Sequence, residues 1–333
     1  MTTFQGIAHL RRQFETILDQ TRLPAEIVVG DDASTDGTAE LLDRIAGESA
    51  VPIRVQHNPV RLGLRENMQQ TLERTSGSVI VLADQDDLWA PDKIETIEAA
   101  FVDPAVTLWF SDAELVDEAE RALGKTAWQA VNLGPDEQRL LRNGRGLGRL
   151  LHGQTVTGAT MAIRSTVLAL ALPFPAELEG VNHLYFHDGW LAVLASFIGN
   201  VSVEPRTLTF YRQHATQLTS MSMSSVTPSA SSKSARNRAQ QLTLDHARVK
   251  LVAERTRENQ VELGAATPGV TELLRRERFL DVRMLPRGAR HRQRLITEQK
   301  RLGCYVEYSR GAITALSDRV LPTVNRRRYA SGD

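Results

Sequence analysis

A mostly parallel α/β sheet flanked by helices is predicted by three features of this 333-residue chain. Helix-like and strand-like segments alternate through its first hundred residues, the strand-like ones are short apolar runs, and aspartates close two of those runs. Such alternation joins strands through crossover helices, and continuous apolar runs suit strands covered on both faces.

The elements follow in order. Ile7, Leu10, Phe14, Ile17 and Leu18 recur at helical spacing. After Pro24, Glu26 to Gly30 reads as a buried strand, Leu41, Leu42 and Ile45 mark a second helix, and Ile53 to Val55 a weaker strand. Leu64, Met68 and Leu72 mark a third helix with Gly77 as its expected C-cap. Val79 to Ala83 is the strongest strand signal, and Pro91 opens the next helix, where its missing N–H costs nothing. Beyond residue 105, Thr107 to Ser111 and Thr157 to Arg164 read as strands. A helix starting near Asp188 presents Trp190, Leu191, Leu194 and Ile198 on one face and ends at Gly199.

Composition excludes several classes. Forty Lys plus Arg balance forty Asp plus Glu, so the formal charge is zero and a dedicated nucleic-acid binder is not expected. One cysteine, Cys304, allows no intramolecular disulfide and no cysteine-based zinc site, which suits a reducing, cytoplasmic setting. No apolar run is long enough to span a membrane, and the N-terminus lacks the basic-then-apolar signal pattern. No G-x-G-x-x-G follows a predicted strand and no G-x-x-x-x-G-K-[ST] occurs, against a nicotinamide dehydrogenase or a P-loop enzyme. The glycine-rich N-terminal loop of a sugar-nucleotide pyrophosphorylase is also absent.

In open α/β sheets ligands bind beyond the carboxyl ends of the strands. Asp31-Asp32 and Asp84-Gln85-Asp86-Asp87 occupy two such ends and can converge in one crevice. Carboxylates alternating at a strand end can offer oxygens to one hard cation; the competing reading is a helix-capping turn. For Asp31 to Thr38, capping suits Asp36 or Thr38 but leaves the paired aspartates unexplained. Asp188, just before an apolar-faced helix, is a candidate general base or an N-cap.

The segments EIVVGDDASTDGT (Glu26 to Thr38) and VIVLADQDDLWAPDK (Val79 to Lys93) resemble the two signature stretches of family 2 glycosyltransferases. RLGLREN (Arg61 to Asn67), VTGATMAIR (Val156 to Arg164), HDGW (His187 to Trp190) and YRQHATQL (Tyr211 to Leu218) resemble, in order, its rhamnosyltransferase-like branch. The resemblance covers roughly residues 1–220 and implies a GT-A fold and an inverting, metal-dependent transfer to a hydroxyl acceptor. It places Asp32, with Asp31 nearby, at the nucleobase, and Thr3 in the turn that meets the nucleotide. Asp84 and Asp86 become the Mg2+ or Mn2+ ligands with Asp87 in support, and His214 reaches the metal or diphosphate. Arg212 neutralises phosphate, and Asp188 is the base. Trp89 and Trp190 are expected to pack and shape the crevice. The implied donor is a nucleotide sugar, dTDP-rhamnose or a UDP-hexose. The implied acceptor is a glycan or lipid-linked surface polysaccharide. A non-catalytic nucleotide-sugar binder or scaffold is the alternative.

The expected organisation is a catalytic domain over 1–218, a serine-rich linker over 219–234 and a basic helical region over 235–333. That last region is either a solvated bundle or a peripheral attachment to an anionic membrane face. Arg326-Arg327-Arg328 reads as a charged tail, and Tyr308 to Gly311 resembles the tails of some relatives. Family members open with a buried strand before the nucleotide-binding turn. Met1 to Gly6 resembles that turn itself, so the first strand is expected to be missing and the true start to lie upstream.

Overall fold

The computed structural model describes residues 1–151, 155–178, 184–214, 234–259, 268–285, 292–302 and 304. The chain divides into two compact units, Met1–Ser225 and Val226–Asp333.

The first unit opens with β1 (Thr2–Thr3), α1 (Leu10–Leu18), β2 (Ile27–Asp31), α2 (Thr38–Glu48), β3 (Ile53–His57) and α3 (Leu64–Glu73). The three strands form a parallel sheet in the order β1-β2-β3. All five residues of β2 are buried, as its apolar run predicts. Leu10, Phe14 and Ile17 of α1 and Leu41, Leu42 and Ile45 of α2 pack with Val29 of β2 in one core. Each such side chain, fully buried, contributes roughly 1.5–3 kcal/mol relative to leaving it in water. Ile7, expected on the first helix, lies outside it and is 41% exposed.

The strand expected to be missing exists as two residues. Thr2 and Thr3 pair with Gly30 and Asp31, and the amino group of Met1 donates to the Val28 carbonyl at 2.9 Å. Among the described residues no ladder joins this three-stranded sheet to the strands after β3.

Those strands and helices are β4 (Val79–Val81), β5 (Leu88–Trp89), α4 (Lys93–Phe101), β6 (Val106–Val116) and β7 (Ala122–Thr126), then α5 (Ala127–Val131), α6 (Pro135–Arg142) and α7 (Leu147–Leu151). After them come β8 (Met161–Arg164), α8 (Val167–Ala171), α9 (His187–Ile198) and β9 (Asn200–Arg212). The sheet runs β4-β8-β6-β9-β5, with β7 on β6. Here the mostly parallel expectation gives way to a mixed sheet. Only β6 and β9 run parallel; β4–β8, β6–β8, β5–β9 and β6–β7 are antiparallel.

Several local expectations are corrected. The apolar run at Val79 is a strand for three residues only, because the chain then turns into the aspartate loop. Gly77 is not the cap of α3: the helix stops at Glu73, where the Thr75 amide and hydroxyl both donate to the Leu72 carbonyl. Residues 157–164 start as a 3-10 turn, Gly158–Thr160, before β8. Strand β9, for which no signal was read, runs thirteen residues through the sheet. Its register against β6 jumps from Ser111↔Glu204 to Asp112↔Thr207, a bulge that holds Pro205 where no ladder N–H is needed.

In the second unit the described helices are α10 (Ser234–Glu258), α11 (Pro268–Met284) and α12 (Arg292–Arg301). Val249, Val252, Leu273, Phe279 and Ile296 are buried there, and His246–Asp281 (2.7 Å) and Arg278–Glu298 (3.3 Å) pair across helices. No described helix is long and apolar enough to cross a membrane. Residues 219–233 of the serine-rich linker, Tyr308 to Gly311 and Arg326 to Arg328 lie outside the described residues.

Candidate active site

The carboxyl ends of β1, β2 and β4 carry Thr3, Asp31, Asp32, Asp84 and Asp86, while Asp188 lies on α9 and Arg212 and His214 at the end of β9; the two acidic pairs behave differently. Asp31 turns inward: its carboxylate accepts from Thr3 Oγ1 at 2.8 Å, Ser34 Oγ at 2.6 Å and Ser34 N at 3.1 Å. Asp32, 3% exposed, accepts from Leu62 N (2.6 Å), Gly63 N (2.9 Å) and Asn58 Nδ2 (3.3 Å). It thereby folds the Arg61-to-Gly63 loop against the end of β2. Gly30 is required beneath this pair. A Cβ there would collide with Thr71 Oγ1 and Asn67 Oδ1 of α3, whose Asn67 amide donates to the Gly30 carbonyl at 2.9 Å. Phe4 stands in front of the pair with the Arg61 guanidinium 3.9 Å from its ring centre.

Asp84 feels the charges of Asp86 and Asp188. The Asp84 carboxyl is pushed up to about 7, first by burial, then by the charges on Asp86 and Asp188; the amino terminus and Lys93 pull the other way. Asp87, 1% exposed, is pushed well up by burial and by Asp86 and Asp84, and its Oδ2 has no protein partner. Asp86 Oδ2 meets His214 Nε2 at 2.9 Å. Asp188 sits in the first turn of α9, whose N-cap is Phe186, so it is not itself the cap. Its carboxylate accepts from Gly158 N at 2.9 Å and Gly189 N at 2.6 Å. Beside it, both ring nitrogens of His187 are buried without a partner, and burial pulls this imidazole down toward neutrality.

Arg212 is placed by the same loop, with its donors directed at protein. Nε donates to the Asp86 carbonyl at 2.8 Å, Nη1 to the Glu118 carbonyl at 2.9 Å and Nη2 to Glu120 at 3.3 Å, while its backbone N–H reaches Asp87 Oδ1 at 2.9 Å. At 3% exposure this guanidinium is a clamp on the aspartate loop.

Three neighbours carried no sequence signal of a role. Gln85 pins the nucleotide-side turn, its Oε1 accepting from Phe4 N at 2.9 Å and its Nε2 donating to Phe4 O at 3.1 Å. The His9 ring lies 5.1 Å from that of His214 and is pulled down by burial, then by Arg212 and His214. Lys93 is wholly buried behind the cluster. Only the x of the D-x-D triplet and the Lys within the second signature stretch could have drawn attention to Gln85 and Lys93.

A divalent cation suits this donor set. The charges of Asp86 and Asp188 that help lift the buried Asp84 create a demand for positive charge, and the Asp86 carboxylate meets the His214 imidazole at 2.9 Å. Among the described residues no three such side chains form a ready-made cage. Cations of the Mg2+ type, however, commonly take one or two carboxylates and complete their shell with substrate phosphates.

Comparison with known proteins agrees with the geometry. Residues 1–165 match Glycosyl transferase family 2. An uncharacterized glycosyltransferase of Nostoc sp. is 24% identical over 236 residues, 70% of this chain and 69% of that one. A Bacillus subtilis chain provisionally named as the teichuronic acid biosynthesis glycosyltransferase TuaG is 32% identical over 80 residues, 24% of this chain and 31% of its own. Among solved structures, S. aureus TarS 1–349 in complex with UDP-GlcNAc superposes with a TM-score of 0.51 at 16% identity, over 91% of this chain and 90% of that one. The fold is that of the GT-A glycosyltransferases.

Proposed function

We propose that this chain, whose residues 1–165 match glycosyl transferase family 2, moves a sugar with inversion from a nucleoside-diphosphate donor to a hydroxyl of a glycan or lipid-linked acceptor. The observation that carries the reading is geometric: Asp86 meets His214 at 2.9 Å and Asp188 is fixed by the Gly158 and Gly189 amides, while burial, then the charges of Asp86 and Asp188, lift Asp84 to about 7. A binding scaffold needs cation ligands but no further carboxylate facing them.

In the transfer, Asp188 takes the proton of the acceptor hydroxyl as its oxygen bonds to the anomeric carbon. The bond from that carbon to the diphosphate breaks on the opposite face, and its electron pair leaves with the diphosphate. The Gly158 and Gly189 amides fix the base carboxylate's orientation. Asp84, Asp86 and His214 would hold Mg2+ or Mn2+, which when bound neutralises charge on the departing diphosphate. The nucleotide meets Thr3, Asp31 and Asp32 through the turn and loop that these residues build, and Arg212 serves the diphosphate by holding the aspartate loop. Rhamnose or a hexose is the transferred sugar, carried on dTDP or UDP. The likeness to a chain named for teichuronic acid biosynthesis supports surface polysaccharide as the setting. Peripheral contact of the C-terminal helical region with the anionic inner face of the membrane belongs to the same reading.

The test is nucleoside diphosphate release with Mn2+ across a panel of nucleotide sugars, with Asp86→Ala and Asp188→Asn alongside. Release with one donor, lost in Asp86→Ala and on chelation, is expected. A folded protein that binds a donor yet turns over none of the panel with any acceptor would refute the transferase reading and favour a non-catalytic binder.

A further inference from the structure

Lys93, the first residue of α4, has no exposed surface. A buried ammonium is unfavourable unless its donors are matched, so the partners reveal what it is there to hold. Its Nζ donates to the Ala159 carbonyl at 2.7 Å and to Thr209 Oγ1 at 2.9 Å, and it stands 4.0 Å from the centre of the Trp89 ring. These partners belong to three separate segments. Trp89 follows the aspartate loop, Thr209 lies on β9 ahead of Arg212, and Ala159 belongs to the turn Gly158–Thr160. The first residue of that turn donates its N–H to Asp188 Oδ2 at 2.9 Å. Thr209 Oγ1 also reaches the Ala159 carbonyl, at 3.2 Å, closing a triangle around the ammonium. Burial pulls the Lys93 ammonium down to about 7, with Asp87 and Asp84 pulling the other way.

Asp188 and the aspartate loop are far apart in sequence and lie on different elements, yet the transfer needs them in one fixed geometry. We propose that Lys93 is a positioning residue for the transfer step, its buried ammonium tying the Gly158–Thr160 turn, and through it Asp188, to the strand that leads into Arg212. The proposal rests on the reading of Asp188 as the base. Methionine, one atom shorter than lysine, still packs on Trp89 but donates nothing, so Lys93→Met removes the tie and leaves most of the space filled. A misplacement near 1 Å can lower turnover about 100-fold.

The experiment uses the full chain with Lys93→Met and, as a gentler cut of the same tie, Thr209→Val. Donor KM and kcat per folded molecule are measured beside amide hydrogen exchange over residues 156–162. Lys93→Met is expected to lower kcat about 100-fold with donor KM changed less than about threefold, the signature of an interaction that acts on the chemical step. Exchange at the Gly158 amide should quicken at least about tenfold as its bond to Asp188 loosens, with Thr209→Val shifting both readouts the same way by less. A kcat within threefold of the unaltered chain, or unchanged exchange at Gly158, overturns the proposal. If the unaltered chain turns over no donor, the transferase reading fails by itself, and exchange at Gly158 still decides the role of Lys93. Should Lys93→Met not fold, Thr209→Val decides by the same exchange criterion.

Discussion

Replacing Asp84 with Asn should stabilise the cation-free protein, and do so in a pH-dependent way. Asparagine keeps the shape of the side chain but cannot ionise. In the folded chain the Asp84 carboxyl holds its proton up to about 7, whereas an unfolded chain releases it near 3.9. Between those values the folded state carries the extra proton, so the contribution of Asp84 to stability falls as pH rises and is fully unfavourable above 7. A difference of about 3 pH units at 1.36 kcal/mol each sets a ceiling of ~4 kcal/mol. Part of the rise comes from the charges of Asp86 and Asp188 and not from Asp84's burial alone, and ~2 kcal/mol is the working figure. For a unit of this size 1 kcal/mol moves the melting temperature by roughly 2–4 °C, giving a gain of about 4–8 °C for Asp84→Asn at pH 8. At pH 4.5 the gain should fall to about a quarter of that. Thermal melts in EDTA at the two pH values, read by fluorescence or circular dichroism, measure it. An equal gain at both pH values would mean that asparagine only packs better, and a loss at pH 8 would mean that the carboxylates do not share a field. Either result removes the electrostatic argument for a cation site.

Three other substitutions have distinct signatures. Asp188→Asn should lower kcat by about 10²–10⁴-fold with donor affinity retained; equal losses in donor binding and turnover would show a structural residue instead. Arg212→Met leaves the Asp86 and Glu118 carbonyls without their donor and should destabilise the fold by about 1–3 kcal/mol, seen as a lower urea midpoint. An effect confined to donor KM would instead make the guanidinium a direct phosphate ligand. Gly30→Ala should destabilise by roughly 1–3 kcal/mol through the collision with Thr71 and Asn67, again read by urea melts; a neutral result would mean that α3 moves freely away from β2.

The alternation of elements through the first hundred residues was legible because each helix and strand there buries a face of its own. What escaped was long-range. Strand β9 alternates correctly over Val201-Ser202-Val203 and again over Leu208-Thr209-Phe210, but the bulge at Pro205 breaks the pattern between them, and a period-2 reading stops there. Helix α3 could not be ended correctly from its sequence, since the capping group is the Thr75 hydroxyl and not the nearby glycine. The mixed sheet depends on which strands β6 and β8 choose as neighbours, and no local pattern encodes that choice.

The acidic residues show a deeper limit. Asp31, Asp32, Asp84 and Asp86 are chemically alike and all close a strand, so sequence assigns all four to the ligand. In the structure Asp31 and Asp32 are saturated by nearby hydroxyl, amide and backbone donors, because Ser34, Asn58 and the Leu62-Gly63 amides lie within reach of a carboxylate at the end of β2. Asp84 and Asp86 follow a strand whose surroundings supply mostly other carboxylates, and there the negative charge accumulates. The same reasoning turns Arg212 around. An arginine beside a cation site reads as a phosphate ligand, yet a guanidinium this buried must first satisfy its own donors, and the Asp86 and Glu118 carbonyls do so. Residues that build the crevice and residues that face its occupant are therefore of the same types, and only the placement of their partners separates them. Lys93 is the extreme instance: no lysine in a sequence looks structural, and this one is defined wholly by a carbonyl 66 residues away and a hydroxyl 116 residues away.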